Sequence, residues 1–556
     1  MLAIEKYEEA DVLVVGGGIG GLMAAVSAAD QGAKVVVAEK ADTRRSGNGA
    51  TGNDHFLCYI PEVHGADMQS IVNEALEGLI GKFQDRNIVN EHMQRSFACV
   101  KQWHEWGIPM QVNNEWEFTG HSFPGKPRVW LKYAGASQKP VLTRETKKRG
   151  VKIINKFAVT EIIIQNGAVA GALGISLQNP EPAIKVVRAK AIILATGHVG
   201  RLYPPITPGW LFNTGRCPSC SGAGRSLAYR AGAKLVNMEL PDAHAGLRYF
   251  ARSGKGTWIG VLKNLHGRPV GPFVTKPNRE LGDITCDIWT SMFTDKFKSG
   301  EGPIYMDCSE ASENDLEYMK WGLENEGNTA TLDYMAREGI DLKEHMIEFG
   351  QYETIYRGRG GIEINEKAET SLKGLYATGE DLGNFWGGIS GAATIGMIAG
   401  ENAADYSRNK DHVHGGEKEI ALEKQELYAE ILNRRHGSSW QEANIALQQI
   451  MKDYAGLEIR SETMLRAGLK YLGDLRKKVS ASIQADDAHT LMRCAEIFDL
   501  MDIGETVFLT ALERKETRGL HKRSDYPFTN PLNNNKFMTI KIDDGKTVIE
   551  WRDQIV

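Results

Sequence analysis

The stretch Asp11–Lys40, DVLVVGGGIGGLMAAVSAADQGAKVVVAEK, restricts the possible fold more than any other part of the chain. Its apolar run Val12–Val15 predicts a buried parallel strand, and Gly16, Gly18 and Gly21 give a GxGxxG spacing ahead of a small-residue helix over Leu22–Gln31. Gly16 permits the tight turn, Gly18 lets backbone approach a diphosphate, and Gly21 lets helix and strand pack closely. The helix start then offers N–H groups and a partial positive charge to the phosphates. A second strand, Lys34–Ala38, ends at Glu39, placed to accept hydrogen bonds from a ribose 2′-hydroxyl. Strand, glycines, helix, strand and acid follow in the order a dinucleotide site needs.

At 556 residues the chain exceeds what one hydrophobic core supports, which predicts two or three domains. A net charge of −5 provides no electrostatic footprint for nucleic acid or an anionic membrane. No apolar stretch reaches the length of a membrane span, and the start of the chain is acidic (Glu5, Glu8, Glu9, Asp11), so the expected location is cytoplasmic. Seven cysteines are too few and too scattered for a disulfide framework. Cys217 and Cys220 are the only close pair and read as plain loop thiols, so any iron–sulfur centre is expected on another polypeptide.

Ala41–Gly65 lacks periodicity and reads as a long ordered loop, followed by helical periodicity through Asp67–Trp106. Strands are expected at Lys152–Val159 and Glu161–Gln165, with Asn166-Gly167 turning into Val169–Ser176. Ala183–Arg188 and Ala191–Ala195 follow, the latter running into Ala195-Thr196-Gly197, a second glycine turn that favours FAD over NAD. Ser226–Lys234 reads as a helix and Leu235–Leu240 as a strand. Alternation is lost between Pro241 and Thr354 and resumes at Gly360, and Gly387–Gly391 opens a helix that can present its positive end to a flavin. The expected organisation is α/β: a Rossmann-like FAD-binding domain in two parts (1–240 and 355–415), an inserted cap (241–354), and a helical domain with a terminal hairpin (416–556). Ser439 and Glu442 form a capping box, and Asp544-Gly545 signals the hairpin.

Several segments together resemble the succinate dehydrogenase and fumarate reductase flavoprotein superfamily: the fingerprint, Arg45-Ser46-Gly47, Ala195-Thr196-Gly197, Leu227–Ala233, Thr370–Glu380 (TSLKGLYATGE) and Arg514–Pro527 (RKETRGLHKRSDYP). Gly302–Asp307 (GPIYMD) is most similar to the adenylylsulfate reductase α-subunit branch. The resemblance implies a redox flavoprotein that exchanges electrons between a small anionic substrate and a ferredoxin-like iron–sulfur partner subunit. Transfer would occur at flavin N5, as hydride to an activated C=C bond or through an adduct with a sulfur nucleophile. It implies cofactor contacts from Gly16, Gly18, Gly20, Gly21, Glu39, Lys40, Ser46, Gly47, Gly52, Ala158, Ala195, Thr196, Gly197, Gly379, Glu380, Ser390 and Ala393. Covalent members have a histidine after the Arg-Ser pair; Gly47 in that place implies noncovalent FAD.

Two departures shape the catalytic expectation. Tyr356 replaces a histidine of the related reductases, and Gly387–Thr394 lacks the arginine that clamps a substrate carboxylate in fumarate reductases. A dicarboxylate needs fixed cationic donors. Arg252, Arg357 and Arg359 are the candidate replacements, with Tyr356 beside them and His121 or His244 as acid/base. Three alternatives remain: a genuine adenylylsulfate reductase α-subunit, a stand-alone reductase of an unsaturated acid, and a flavin-binding nucleic-acid-modifying or interaction protein, which net acidity and the absence of an aromatic and basic stripe disfavour.

Overall fold

The computed structural model describes residues 2–5, 7–77, 83–118, 122, 125–205, 209–248, 258–271, 273–281, 291–356, 358–457 and 460–556; of 244, 351–353 and 355 it describes the backbone. The fingerprint strand Glu8–Val15 lies between Val35–Glu39 and Ala183–Leu194, parallel to both, and Lys152–Asn155 adds a further parallel strand outside Val35–Glu39. Buried on both faces, these segments read as continuous apolar runs, as a covered parallel sheet requires.

Ala183–Leu194 is one continuous strand, where the sequence suggests two. Ala189 and Lys190 contain neither glycine nor proline to break it. Its first half pairs antiparallel with Ala168–Ser176, and its last residues pair in parallel with Leu375–Ala377. The strand over 152–159 is interrupted at Lys156, which takes a left-handed φ of 58° without any glycine to announce it. Phe157–Gln165 then runs on through a bulge to the Asn166-Gly167 turn, both of whose residues have positive φ, as a type I′ hairpin requires. The segment 41–65 is less irregular than expected: His55–Leu57 pairs with Trp130–Lys132, after a 3₁₀ turn at Asn48–Thr51. The strand expected over 235–240 shrinks to Leu235–Val236.

The fingerprint helix Ile19–Asp30 crosses the later helix Gly388–Arg408 with the two backbones in contact. A Cβ on Gly396 would overlap the Gly20 carbonyl, and one on Gly400 would overlap that of Ala24. Glycine at these two sites sets the depth of the crossing.

Between these halves, Asp242–Leu247, Ile347–Ile355, Ile304–Asp307 and Val261–Lys263 form a separate antiparallel sheet. It has its own core around Trp258, Met306, Met319 and Phe349. The helices Glu417–Asn433, Trp440–Ala455, Glu462–Ser482 and Ala488–Glu513 follow, and the Ser439–Glu442 capping box is formed in both directions. The terminal hairpin Lys536–Asp543 and Lys546–Asp553 returns to the first half of the chain, pairing with Leu235–Val236, which in turn pairs with Gly361–Ile362. Among the described residues no helix is long and apolar enough to cross a membrane.

Gly396→Ala is expected to destabilise the protein by about 1–3 kcal/mol through overpacking. Gly473→Ala, in a helix where nothing lies within 4 Å of the new methyl group, is expected to be neutral or to stabilise by up to about 1 kcal/mol. Denaturant unfolding of both variants measures the contrast.

Candidate functional site

One cavity of about 480 Å3 runs from the fingerprint turn along the Arg45–Asn53 segment and out beneath the inserted sheet. Gly16 turns the chain with φ of 105°, and Gly18 caps the helix with no side chain bonded to its first turn. A helix leaves its first-turn N–H groups without intrahelical partners, and here Gly18, Ile19 and Gly20 of that turn line the cavity. A Cβ on Gly18 would meet nothing closer than the Ala195 carbonyl at 3.9 Å, so glycine here leaves room in the cavity rather than in the core. Gly21 does the opposite: it is absent from the wall, and a Cβ on it would overlap the Gly16 carbonyl. This cradle fits a diphosphate, and Glu39 fits the adjoining ribose. Its buried carboxylate accepts from Gly17 N and Ala41 N, each at 2.7 Å, which fixes its direction and leaves lone pairs for a hydroxyl.

A buried ion pair organises the second glycine turn. Asp381 accepts from the backbone N–H groups of Thr196 and Gly197 and from Thr196 Oγ1 at 3.0 Å. Arg225 lies 3.4 Å from Asp381 and donates to the carbonyls of Gly197 (2.8 Å) and Gly360 (2.9 Å). Ala195, Thr196, Gly197, Gly379 and Glu380 are thereby held on the wall. Facing them, Asn48 contacts His198 Nδ1 at 2.9 Å and Glu380, and its side-chain oxygen accepts from Cys217 N at 2.8 Å. Ser46, Gly47, Gly52, Gly20, Lys40 and Ala158 also line the cavity.

Ser390 and Ala393, expected at the cofactor, are directed elsewhere. Helical periodicity points Gly388, Ile389 and Ala392 at the cavity, while Ser390 Oγ turns back to the Gly387 carbonyl and Ala393 packs with Ile19 and Leu22. Tyr356 is a further correction. Its ring is fully buried away from the wall; its carbonyl accepts from Val199 N (3.1 Å) and from Arg225 (3.2 Å), and burial pushes its phenol far up. Arg359 lies on the wall, its guanidinium 5.4 Å from the centre of the Phe83 ring. Arg252, Arg357 and His121 fall outside the described residues, as does the side chain of His244.

Sequence reasoning missed two parts of the site. The first is the helix Ala488–Glu513, which supplies Met492, Ala495, Glu496 and Asp499 to the wall. Glu496 Oε1 bonds Lys40 Nζ at 2.7 Å, and its carboxylate also meets Arg201 and Arg493. Burial alone would raise this carboxyl, but the three cations outweigh it and hold it well below the usual carboxylate range. The second is Asp54-His55. Asp54 is fully buried and contacts His55 Nδ1, while His55 lines the cavity near Glu326 and Asn328 of the inserted region. Lys132 answers this acidic group, and burial pushes its ammonium down to about 8. A histidine in the 41–65 segment was visible in the sequence; its buried carboxylate partner and its neighbours from the inserted region were not.

A model described as the FAD binding domain matches residues 11–395, and one described as the fumarate reductase flavoprotein C-terminus matches residues 444–555. The chain is 25% identical to a fumarate reductase (CoM/CoB) subunit from Methanothermobacter marburgensis, over 95% of this chain and 96% of that one. It is 22% identical to the Escherichia coli fumarate reductase flavoprotein subunit, over 98% and 94%. In fold it is similar to adenylylsulfate reductase from Archaeoglobus fulgidus, with a TM-score of 0.83 at 22% identity, covering 100% of this chain and 97% of the other.

Glu496→Gln leaves Lys40, Arg201 and Arg493 facing a neutral amide, and is expected to cost about 3–5 kcal/mol at neutral pH. Because the folded carboxyl lies below its ordinary value of 4.5, the wild-type advantage is complete above that pH and shrinks progressively as the pH falls below it. Denaturant titrations of both proteins across that range check the trend; a gap that widened toward acid would contradict it.

Proposed function

This chain belongs to the FAD-binding flavoproteins of the fumarate reductase and succinate dehydrogenase type, and on that premise we propose that it is the flavin-bearing subunit of a reductase for a small anionic substrate, working with an iron–sulfur partner. FAD-dependent oxidoreduction is the activity of the family; the substrate, the partner and the noncovalent state of the flavin are our reading. The observation that carries it is a single cavity joining a dinucleotide cradle at Gly16–Gly20 to a chamber walled by Arg359, His55, Glu326 and Asn328.

When bound, FAD supplies two-electron transfer at its isoalloxazine ring. The chain's own residues supply position and protons. The open first turn of Ile19–Asp30 would hold the diphosphate and Glu39 the ribose, and Thr196 and Gly379 line the same cavity. Arg359 gives a carboxylate, sulfate or phosphate a planar two-pronged donor. His55, with Nδ1 directed to Asp54, is oriented to exchange a proton through its other nitrogen. Trp130 and Trp386, with ring centres 6.3 Å apart, line the cavity beside these groups.

Support for noncovalent FAD is Gly47 itself: its φ of 77° suits glycine and offers no side chain for attachment. Support for an iron–sulfur partner is the scarcity of clustered cysteine in this chain, together with relatives named as subunits. Between fumarate-type and adenylylsulfate-type chemistry, Arg359 serves either anion.

Reoxidation of the anaerobically reduced flavoprotein by fumarate or by adenylylsulfate tests the reading directly, with flavin absorbance as the signal. Rapid reoxidation by one compound names the substrate class, and none by either would overturn the assignment to this pair. Arg359→Ala is expected to keep full flavin content while raising KM about ten- to hundredfold through loss of its charge-assisted contact with the anion. His55→Asn is expected to lower kcat about a hundredfold or more with KM little changed. Loss of flavin from either variant would instead assign that residue to the cofactor.

A further inference from the structure

The Cys217-Pro218-Ser219-Cys220 stretch forms a tight turn. Cys220 N donates to the Cys217 carbonyl at 3.1 Å, and Pro218 occupies the second position, where its fixed φ is already suited to the turn. Such a turn brings its first and fourth Cα atoms within about 7 Å, a span that overlaps the range a disulfide bridges.

Position matters more than spacing. Both cysteines line the cofactor cavity, and neither is in a disulfide. Cys217 N is anchored by Asn48, whose side chain also reaches Glu380, and the Cys220 carbonyl accepts from Gly200 N at 2.8 Å. A Cβ on Gly197 would stand 3.2 Å from Cys220 Sγ, so the thiol packs directly on the second glycine turn. The Cys217 sulfur beside it, and then burial, push the Cys220 thiol well up. The remaining described cysteines, Cys58, Cys99, Cys308 and Cys494, are buried and absent from this wall.

We propose that Cys217 and Cys220 are a redox-active dithiol that exchanges an electron pair with the bound flavin. In the forward direction the two S–H bonds break, one S–S bond forms, and two protons and two electrons leave the cysteines; oxidised FAD accepts the electrons, and the reverse restores both thiols. The couple adds one electron-pair store to the one the flavin provides, and it needs bound FAD but no particular substrate. A structural turn would keep both thiols reduced in either flavin state.

The test uses the FAD-loaded full chain without substrate. Air-oxidised and anaerobically photoreduced samples are quenched in acid, unfolded and alkylated, and the peptide carrying positions 217 and 220 is weighed. The expected result is no alkylation of this peptide in the oxidised protein, with a mass two hydrogens lower, and two alkyl groups after flavin reduction. Reductive titration is expected to take up two electrons more per flavin in the wild type than in Cys217→Ser or Cys220→Ser. The first variant changes the more exposed cysteine, and the alkylation arm needs no variant, so a folding defect at position 220 leaves the result readable. Two alkylated thiols in the oxidised protein, a disulfide that survives full flavin reduction, or equal electron uptake by wild type and a folded, flavin-loaded Cys217→Ser would each overturn the proposal.

Discussion

The Arg225–Asp381 pair braces the Ala195-Thr196-Gly197 and Gly379-Glu380-Asp381 turns where the pairing of Ala183–Leu194 with Leu375–Ala377 has brought them side by side. Both groups are fully buried, where removing two charges from water costs several kcal/mol per ion unless every remaining donor and acceptor is used. They are used: Asp381 takes the Thr196 and Gly197 N–H groups, and Arg225 the carbonyls of Gly197, Tyr356, Gly360 and Glu380. The wall at this turn is mostly backbone, with Thr196 Oγ1 as the side-chain atom that bonds Asp381 and Gly224 N. One carboxylate and one guanidinium behind the wall fasten it; burial pushes the Asp381 carboxyl up, and Arg225 with the Thr196 and Gly197 N–H groups opposes that rise.

How far along the chain each determinant reaches decides which parts of the site are legible in the sequence. Glycine turns and caps are local, so the GxGxxG turn, Asn166-Gly167, Asp544-Gly545 and the Ser439 box were readable from a few neighbouring residues. Tyr356 was misread because its position in the chain suggested a side-chain role, whereas the structure uses its carbonyl. Ser390 and Ala393 sit one helical step from the residues that do face the cavity, a rotation that spacing alone leaves open. Lys156 broke a strand with no glycine to mark it. Glu496 was invisible for another reason: it lies 456 positions from Lys40, and nothing near it in the chain distinguishes it from an ordinary helical acid.

Charge around the cavity is balanced locally rather than by net composition. Lys40, Arg201 and Arg493 surround Glu496 at one end, and Lys132 faces Asp54 and Glu326 near the other. Lys139, buried behind the fingerprint turn, donates to the Gly17 carbonyl, and burial pushes its ammonium down to about 8. Cationic groups therefore stand near both ends of the cavity in a chain whose overall charge is −5, set by placement rather than by net composition.

The terminal hairpin has a kinetic consequence. Met538 N reaches the Asn237 side chain across 301 positions, and Arg552 bonds Asp85 across 467. Contacts so distant along the chain are slow to form, because the entropy of closing a long loop is lost before the contact repays it. During synthesis the strand Leu235–Val236 must wait with one edge unpaired until the hairpin has left the ribosome, and an open edge is where wrong strands pair. This sheet is completed only once Lys536–Asp543 has been made, and the exposure of the Leu235–Val236 edge to misassembly ends there.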